Sequence, residues 1–124
     1  MNQKSNYGFK DMENLEDLIK KLTTKLCRPE DMLISRNELS DTIYFISKGT
    51  VEIYIEDPRN SKQNQEEQFY ELSVGQIFGE IGVLLDTRRS AYSRSQDYSI
   101  LEMLSKQNFR LLTNNDPIFG KILK

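Results

Sequence analysis

Phe78-Gly79-Glu80-Ile81-Gly82-Val83-Leu84-Leu85-Asp86-Thr87-Arg88-Arg89-Ser90-Ala91 is the stretch that decides how this chain reads. An acidic residue opens a short apolar turn flanked by glycine, and nine positions later an arginine precedes two small residues. A carboxylate accepts a hydrogen bond from a sugar hydroxyl, and a guanidinium holds a phosphate through two parallel N–H bonds. Backbone N–H groups at the start of a short helix, made approachable by glycine, add donors and positive potential for an anion. These parts suit a small phosphorylated ribose and do not resemble hydrolytic machinery.

Composition narrows the field further. A chain of 124 residues is one domain by size and can bury a single core. Its 17 Lys and Arg against 19 Asp and Glu leave a net charge of −2, which argues against a nucleic-acid partner. The single cysteine, Cys27, cannot form an internal disulfide and reads as a small apolar core residue in a reducing compartment. The chain contains no histidine. A Ser-His-Asp triad, a Cys-His pair and a histidine metal site are therefore impossible. The reading is a non-enzyme with neither catalytic residues nor metal. No apolar run approaches the roughly 20 residues that span a bilayer, and no signal peptide is apparent.

Outward from the decisive stretch, hydrophobic periodicity divides the chain. Residues 1–12 are polar and read as a flexible leader, with the domain proper over 13–124. Leu15, Leu18, Ile19, Leu22 and Leu26 follow helical spacing and predict an amphipathic helix that covers one end of the fold. From Met32 the period changes to that of strands: Met32 to Ile34, then Ile43, Phe45, Val51, Ile53 and Ile55 around a turn at Lys48-Gly49. Asn37 occupies a turn and tolerates positive φ, whereas Glu30 predicts a turn without a positive-φ residue at its place. Residues 57–68 form a polar hairpin connection, followed by strands at Phe69 to Val74, Tyr92 to Arg94 and Ser99 to Leu104. Ser105 is expected to cap a helix over 106–113, and Asp116-Pro117 to start a final one.

The decisive stretch resembles the phosphate-binding cassette of the cyclic-nucleotide-binding domain family, which reads Phe-Gly-Glu, a small-apolar run, then Arg, a small hydroxyl residue and Ala. Phe78-Gly79-Glu80 and Arg89-Ser90-Ala91 match both ends, with the spacing of the cyclic-nucleotide-regulated cation and potassium channels. Tyr44 to Ile53 is similar to the family's second and third strands with their glycine turn, and Pro29-Glu30-Asp31 stands where Pro-Gly-Asp is usual. The resemblance covers about residues 14–124. It implies a mainly β fold: an antiparallel, jelly-roll-like β-roll of about eight strands, with an N-terminal helix, a short cassette helix and C-terminal helices.

The resemblance also implies a site for cAMP or cGMP, with no other cofactor. Arg89 would hold the cyclic phosphate and Glu80 the ribose 2′-hydroxyl. Gly79, Ile81 and Gly82 would supply backbone donors and room, Ser90 a hydroxyl, and Ala91 space for close approach. Ile53, Tyr70 and Leu72 would line the base pocket. Arg88 would face solvent, because adjacent side chains on an extended segment point oppositely. Thr87 departs from the glycine often found before the Arg pair. The expected role is a regulatory sensor module of a membrane channel, on the cytoplasmic side, with a C-terminal lid helix begun by Ile118, Phe119, Ile122 and Leu123 and cut short at Lys124. As an isolated domain it is expected to be monomeric. A kinase regulatory subunit and a non-binding scaffold of the same fold are the alternatives.

Overall fold

The computed structural model describes residues 15–59 and 69–115. The expected leader (1–12), most of the 57–68 connection and the final helix from Pro117 lie outside the described residues. Helix α1 covers residues 15–21. Eight strands follow: β1 (Thr23–Cys27), β2 (Met32–Ile34), β3 (Thr42–Lys48), β4 (Val51–Tyr54), β5 (Phe69–Leu72), β6 (Ile77–Phe78), β7 (Tyr92–Ser95) and β8 (Ser99–Ser105). Helix α2 (Glu80–Leu85) lies between β6 and β7, and α3 (Lys106–Asn115) follows β8. The strands form two four-stranded sheets, ordered β1-β8-β3-β6 and β2-β7-β4-β5, and every pairing is antiparallel. The mainly β architecture with flanking helices is thus the one expected.

Strand β3 shows why its sequence is apolar at successive positions. Tyr44 and Ile46 join the core between the sheets, with Cys27, Ile34, Val51, Ile53, Phe78 and Leu101. Ile43 faces the other way, into a second core with Val83, Leu104, Phe109 and Leu112, against which Phe45, Leu18 and Leu22 pack. A strand covered on both faces loses the alternation of apolar and polar residues. Tyr44 and Phe78, register partners across β3 and β6, stack with ring centroids 4.8 Å apart. Ser105 caps α3 as expected, its Oγ accepting from the Asn108 N–H at 3.0 Å.

Two expectations are corrected. The N-terminal helix does not continue through Leu26. The chain turns to strand at Thr23 because β1 pairs with β8 over five residues, and β-branched Thr23 and Thr24 favour that conformation. Within β1 only Cys27 is buried, and Leu26 is exposed. Glu30, for its part, adopts φ 71, so the turn keeps a left-handed residue without glycine. Tertiary bonds hold it there: the Glu30 N–H donates to the Ser95 carbonyl at 2.7 Å, and the Ser95 N–H to the Asp31 carbonyl at 2.9 Å. Asn37 has φ 76, as its residue type allows.

Candidate functional site

The decisive stretch folds around a cavity. Strand β6 ends at Phe78, and Gly79, at φ 80, turns the chain into α2 as its N-cap. Asp86, at φ 59, closes that helix. The left-handed residue that stops α2 is therefore Asp86, and Thr87 needs no glycine-like conformation; its N–H donates to the Gly82 carbonyl at 2.9 Å. Within α2, a Cβ on Gly82 would fall 2.0 Å from Ser40 Oγ, so the helix sits close against the loop before β3.

Past α2 the chain is tied to residues 37 and 38. The Asn37 N–H donates to the Arg89 carbonyl and the Arg89 N–H to the Glu38 carbonyl, each at 2.9 Å. Arg88 is exposed and gives Nη1 to the Asn37 carbonyl at 2.8 Å. Arg89 turns the opposite way and is only 6% exposed. Its Nη1 donates to the Gly79 carbonyl at 2.6 Å and its Nη2 to the Thr42 carbonyl at 2.8 Å. Among the described residues no carboxylate lies within ion-pair distance of Arg89. Burial draws the guanidinium below its ordinary value, and the electrostatic influence of Tyr44, Asp41 and Glu38 opposes that more weakly. The result is a desolvated positive charge held by two neutral carbonyls.

That charge forms part of the wall of a cavity of about 210 Å³. Of the ten residues expected at the site, nine line it: Gly79, Ile81, Gly82, Arg89, Ser90, Ala91, Ile53, Tyr70 and Leu72. Tyr70 and Ile81, both more than half exposed, mark its mouth. Glu80 is half-buried in the first turn of α2 and does not line the cavity in this conformation. Ile34, Ile77, Phe78, Tyr92 and Ser93 also line it and were not singled out as contacts. Strand alternation outward from Ile53 would have found Ser93 once the β4–β7 register was known, but a single sequence does not reveal a register.

The arrangement can receive an anion at Arg89 and a flat apolar group between Ile53, Tyr70 and Leu72. A wider hollow of about 650 Å³ beside α3 offers less, because its cations Lys106 and Arg110 already face Asp86. The outer face of the second sheet is likewise internally satisfied. Glu52 accepts from Arg94 Nη2 at 3.1 Å and from Tyr54 Oη at 3.0 Å, with the Arg94 guanidinium 5.1 Å from the Tyr54 ring centre. No helix among the described residues is long and apolar enough to cross a membrane.

A β-roll carrying a buried arginine, with no ion-pair partner among the described residues, beside a glycine-capped short helix defines a class, and comparison with known proteins gives that class its name. The profile of the cyclic nucleotide-binding domain matches residues 24–116, and the chain belongs to that family. It is 29% identical over 124 residues to the rat (Rattus norvegicus) cyclic nucleotide-gated channel alpha-2, covering 94% of this chain and 18% of the channel. It is 32% identical over 104 residues to the mouse (Mus musculus) potassium/sodium hyperpolarization-activated cyclic nucleotide-gated channel 2, covering 84% of this chain and 11% of the channel. The chain thus spans less than a fifth of these relatives. Among solved structures, the Thermus thermophilus catabolite activator protein superposes with a TM-score of 0.75 at 17% identity, covering 88% of this chain and 49% of that one. The regulatory subunit of a cAMP-independent protein kinase A from Trypanosoma brucei superposes with a TM-score of 0.68 at 20% identity, over 84% and 37%. At those identities the two structures share the fold.

Proposed function

We propose that this chain is a cyclic-nucleotide sensor, binding cAMP or cGMP and serving as the regulatory module of a cation channel. The observation that carries the reading is Arg89: a guanidinium 6% exposed, bonded among the described residues only to the Gly79 and Thr42 carbonyls, in the wall of a mostly apolar cavity. A buried charge without a counter-charge is costly. A bound phosphate diester would supply the missing negative charge while leaving the two carbonyl bonds available to orient the guanidinium.

The remaining roles follow from position. Ser90 adds a hydroxyl beside the phosphate, and Gly79, Gly82 and Ala91 leave the backbone approachable. Glu80, one residue from the cavity wall, turns in to accept from the ribose 2′-hydroxyl. Ile53, Tyr70 and Leu72 cover the purine, with Ile81 at the mouth. Nothing in this set forms a nucleophile, base and oxyanion site together, so the bound nucleotide is read and not cleaved. The similarity to channels over nearly the whole chain supports a channel as the parent, with this domain on the cytoplasmic side. The segment after α3 would move over the base on binding, and that movement would reach the effector because ligand favours the closed arrangement.

Calorimetric titration with cAMP and cGMP, on the wild type, Arg89→Lys and Arg89→Glu, tests the proposal. Saturable binding is expected in the wild type, weakened in Arg89→Lys, which keeps charge without the two-pronged geometry. Arg89→Glu should lose about 2–5 kcal/mol, tens- to thousands-fold in affinity. A folded wild type that binds neither nucleotide up to millimolar concentration would overturn the sensor reading in favour of a scaffold.

A further inference from the structure

The cavity contains one buried hydroxyl that the roles above leave unused. Across the second sheet Ile34 pairs with Ser93, Ser93 with Ile53, and Ile53 with Tyr70. Residues in register share a face of a sheet, and all four line the cavity as one row. Ser93 is 2% exposed, and its Oγ has no hydrogen-bond partner among the described residues. This is not how the fold treats its other buried serines on these strands. Ser95 and Ser99 bond each other at 2.8 Å, and Ser95 Oγ donates to the Asp97 carbonyl at 2.6 Å. Buried hydroxyls are nearly always satisfied, so an orphan in a cavity wall calls for a partner from outside the chain. Ser40 Oγ is also unpartnered among the described residues, but it faces Gly82 and does not line the cavity.

The row has a direction. Arg89 Nη1 and Ile34 Cδ1 both crowd the side of Gly79 where a Cβ would stand, at 2.9 and 3.2 Å from that point. Ile34 is therefore the anion end. Neighbouring strands lie about 4.8 Å apart, which puts Ser93 roughly 5 Å and Tyr70 roughly 14 Å along the row. A nucleotide with its phosphate on Arg89 and its base over Ile53 and Tyr70 passes its sugar–base junction over Ser93. The acceptor presented there by both adenine and guanine is purine N3.

We propose that the Ser93 hydroxyl is a further ligand-positioning group, donating a hydrogen bond to purine N3 of the bound cyclic nucleotide. The proposal rests on the sensor reading and adds a contact to it. Because N3 is common to both purines, Ser93 contributes affinity without choosing between cAMP and cGMP.

The test is calorimetry on Ser93→Ala with cAMP, cGMP and the 3-deaza analogue of cAMP, alongside the ligand-free melting temperature. Affinity for cAMP and cGMP should both fall about 3- to 10-fold, the worth of one hydrogen bond. The 3-deaza analogue should bind wild type and variant alike. The ligand-free melting temperature should hold or rise, since the variant removes an unsatisfied hydroxyl. Unchanged affinity for cAMP and cGMP, an equal loss with the 3-deaza analogue, or a loss that follows a lowered melting temperature would each overturn the proposal. Ser93→Cys, nearly isosteric and a weak donor, serves the same comparison should the alanine variant not fold. Failure here is separable from failure of the sensor reading: wild-type binding weakened by Arg89→Lys but untouched by Ser93→Ala removes only the Ser93 contact.

Discussion

Replacing Gly79 by alanine perturbs backbone and site at once, and replacing Gly75 separates the two effects. Both glycines have positive φ, 80 and 90. A Cβ at Gly75 would meet nothing within 4 Å among the described residues, whereas at Gly79 it would come 2.9 Å from Arg89 Nη1. The left-handed conformation costs an L-residue about 1–2 kcal/mol, and part of this is offset by the lower entropy of the unfolded alanine chain. Each variant should therefore lose about 1 kcal/mol from backbone strain, or roughly 3–6 °C in melting temperature for a domain of this size. Gly79→Ala must in addition displace the guanidinium nitrogen that donates to the Gly79 carbonyl at 2.6 Å. Losing the aim of one charge-assisted hydrogen bond amounts to about 1.5–3 kcal/mol of binding, or 10- to 150-fold in affinity. Thermal melts and nucleotide titrations on the same two variants read both quantities. Gly75→Ala should melt lower and bind normally, and Gly79→Ala should melt lower and bind weakly. Equal affinity in the two variants would refute the claim that Gly79 is small for the sake of Arg89.

Glu30→Gly should stabilise the domain by about 0.5–1 kcal/mol, because φ 71 is strained for glutamate and free for glycine; a lower melting temperature would count against the strain. Asp86 pairs with Lys106, whose hydrogen bond and charge hold the carboxyl below its ordinary 3.8. A depressed folded value means that the contribution is complete above the unfolded value and fades as pH falls through the folded one. The small melting-temperature gap between wild type and Asp86→Asn, which keeps a residue tolerant of φ 59, should stay constant above about pH 5 and close below about pH 4. A gap that widens on acidification would show that the pair is not its source.

The parts of the fold that local chemistry determines were legible in the sequence, and the parts that long-range pairing determines were not. The Ser105 cap, the turn at Asn37 and the division of Arg88 from Arg89 each follow from one residue's geometry and its immediate neighbours. Strand β1 was hidden because Leu22 and Leu26 extend a helical spacing whose competitor, the edge of β8, lies more than 70 residues away. Glu30 departs from its expected turn for a related reason. Its left-handed conformation is held by the Ser95 carbonyl, and residue type alone does not report such a bond. At the site, the residues carrying a recognisable motif could be named from the sequence. Ser93 could not, since its place beside Ile34 and Ile53 depends on which strands are neighbours.

The two ends of the cavity differ in how much remains to be done when a ligand arrives. Behind the arginines, three hydrogen bonds to residues 37 and 38 and two from the guanidinium to carbonyls fix the socket for the charge in advance. At the other end of the row Tyr70 stands more than half exposed. Little conformational entropy is left to lose at the first end, so most of the ordering cost of binding falls at the second. Encounter is then governed by a charge meeting a finished socket, common to every cyclic nucleotide. Residence is governed by how well each base covers the open shelf, so nucleotides that differ only in the base should arrive at similar rates and leave at different ones.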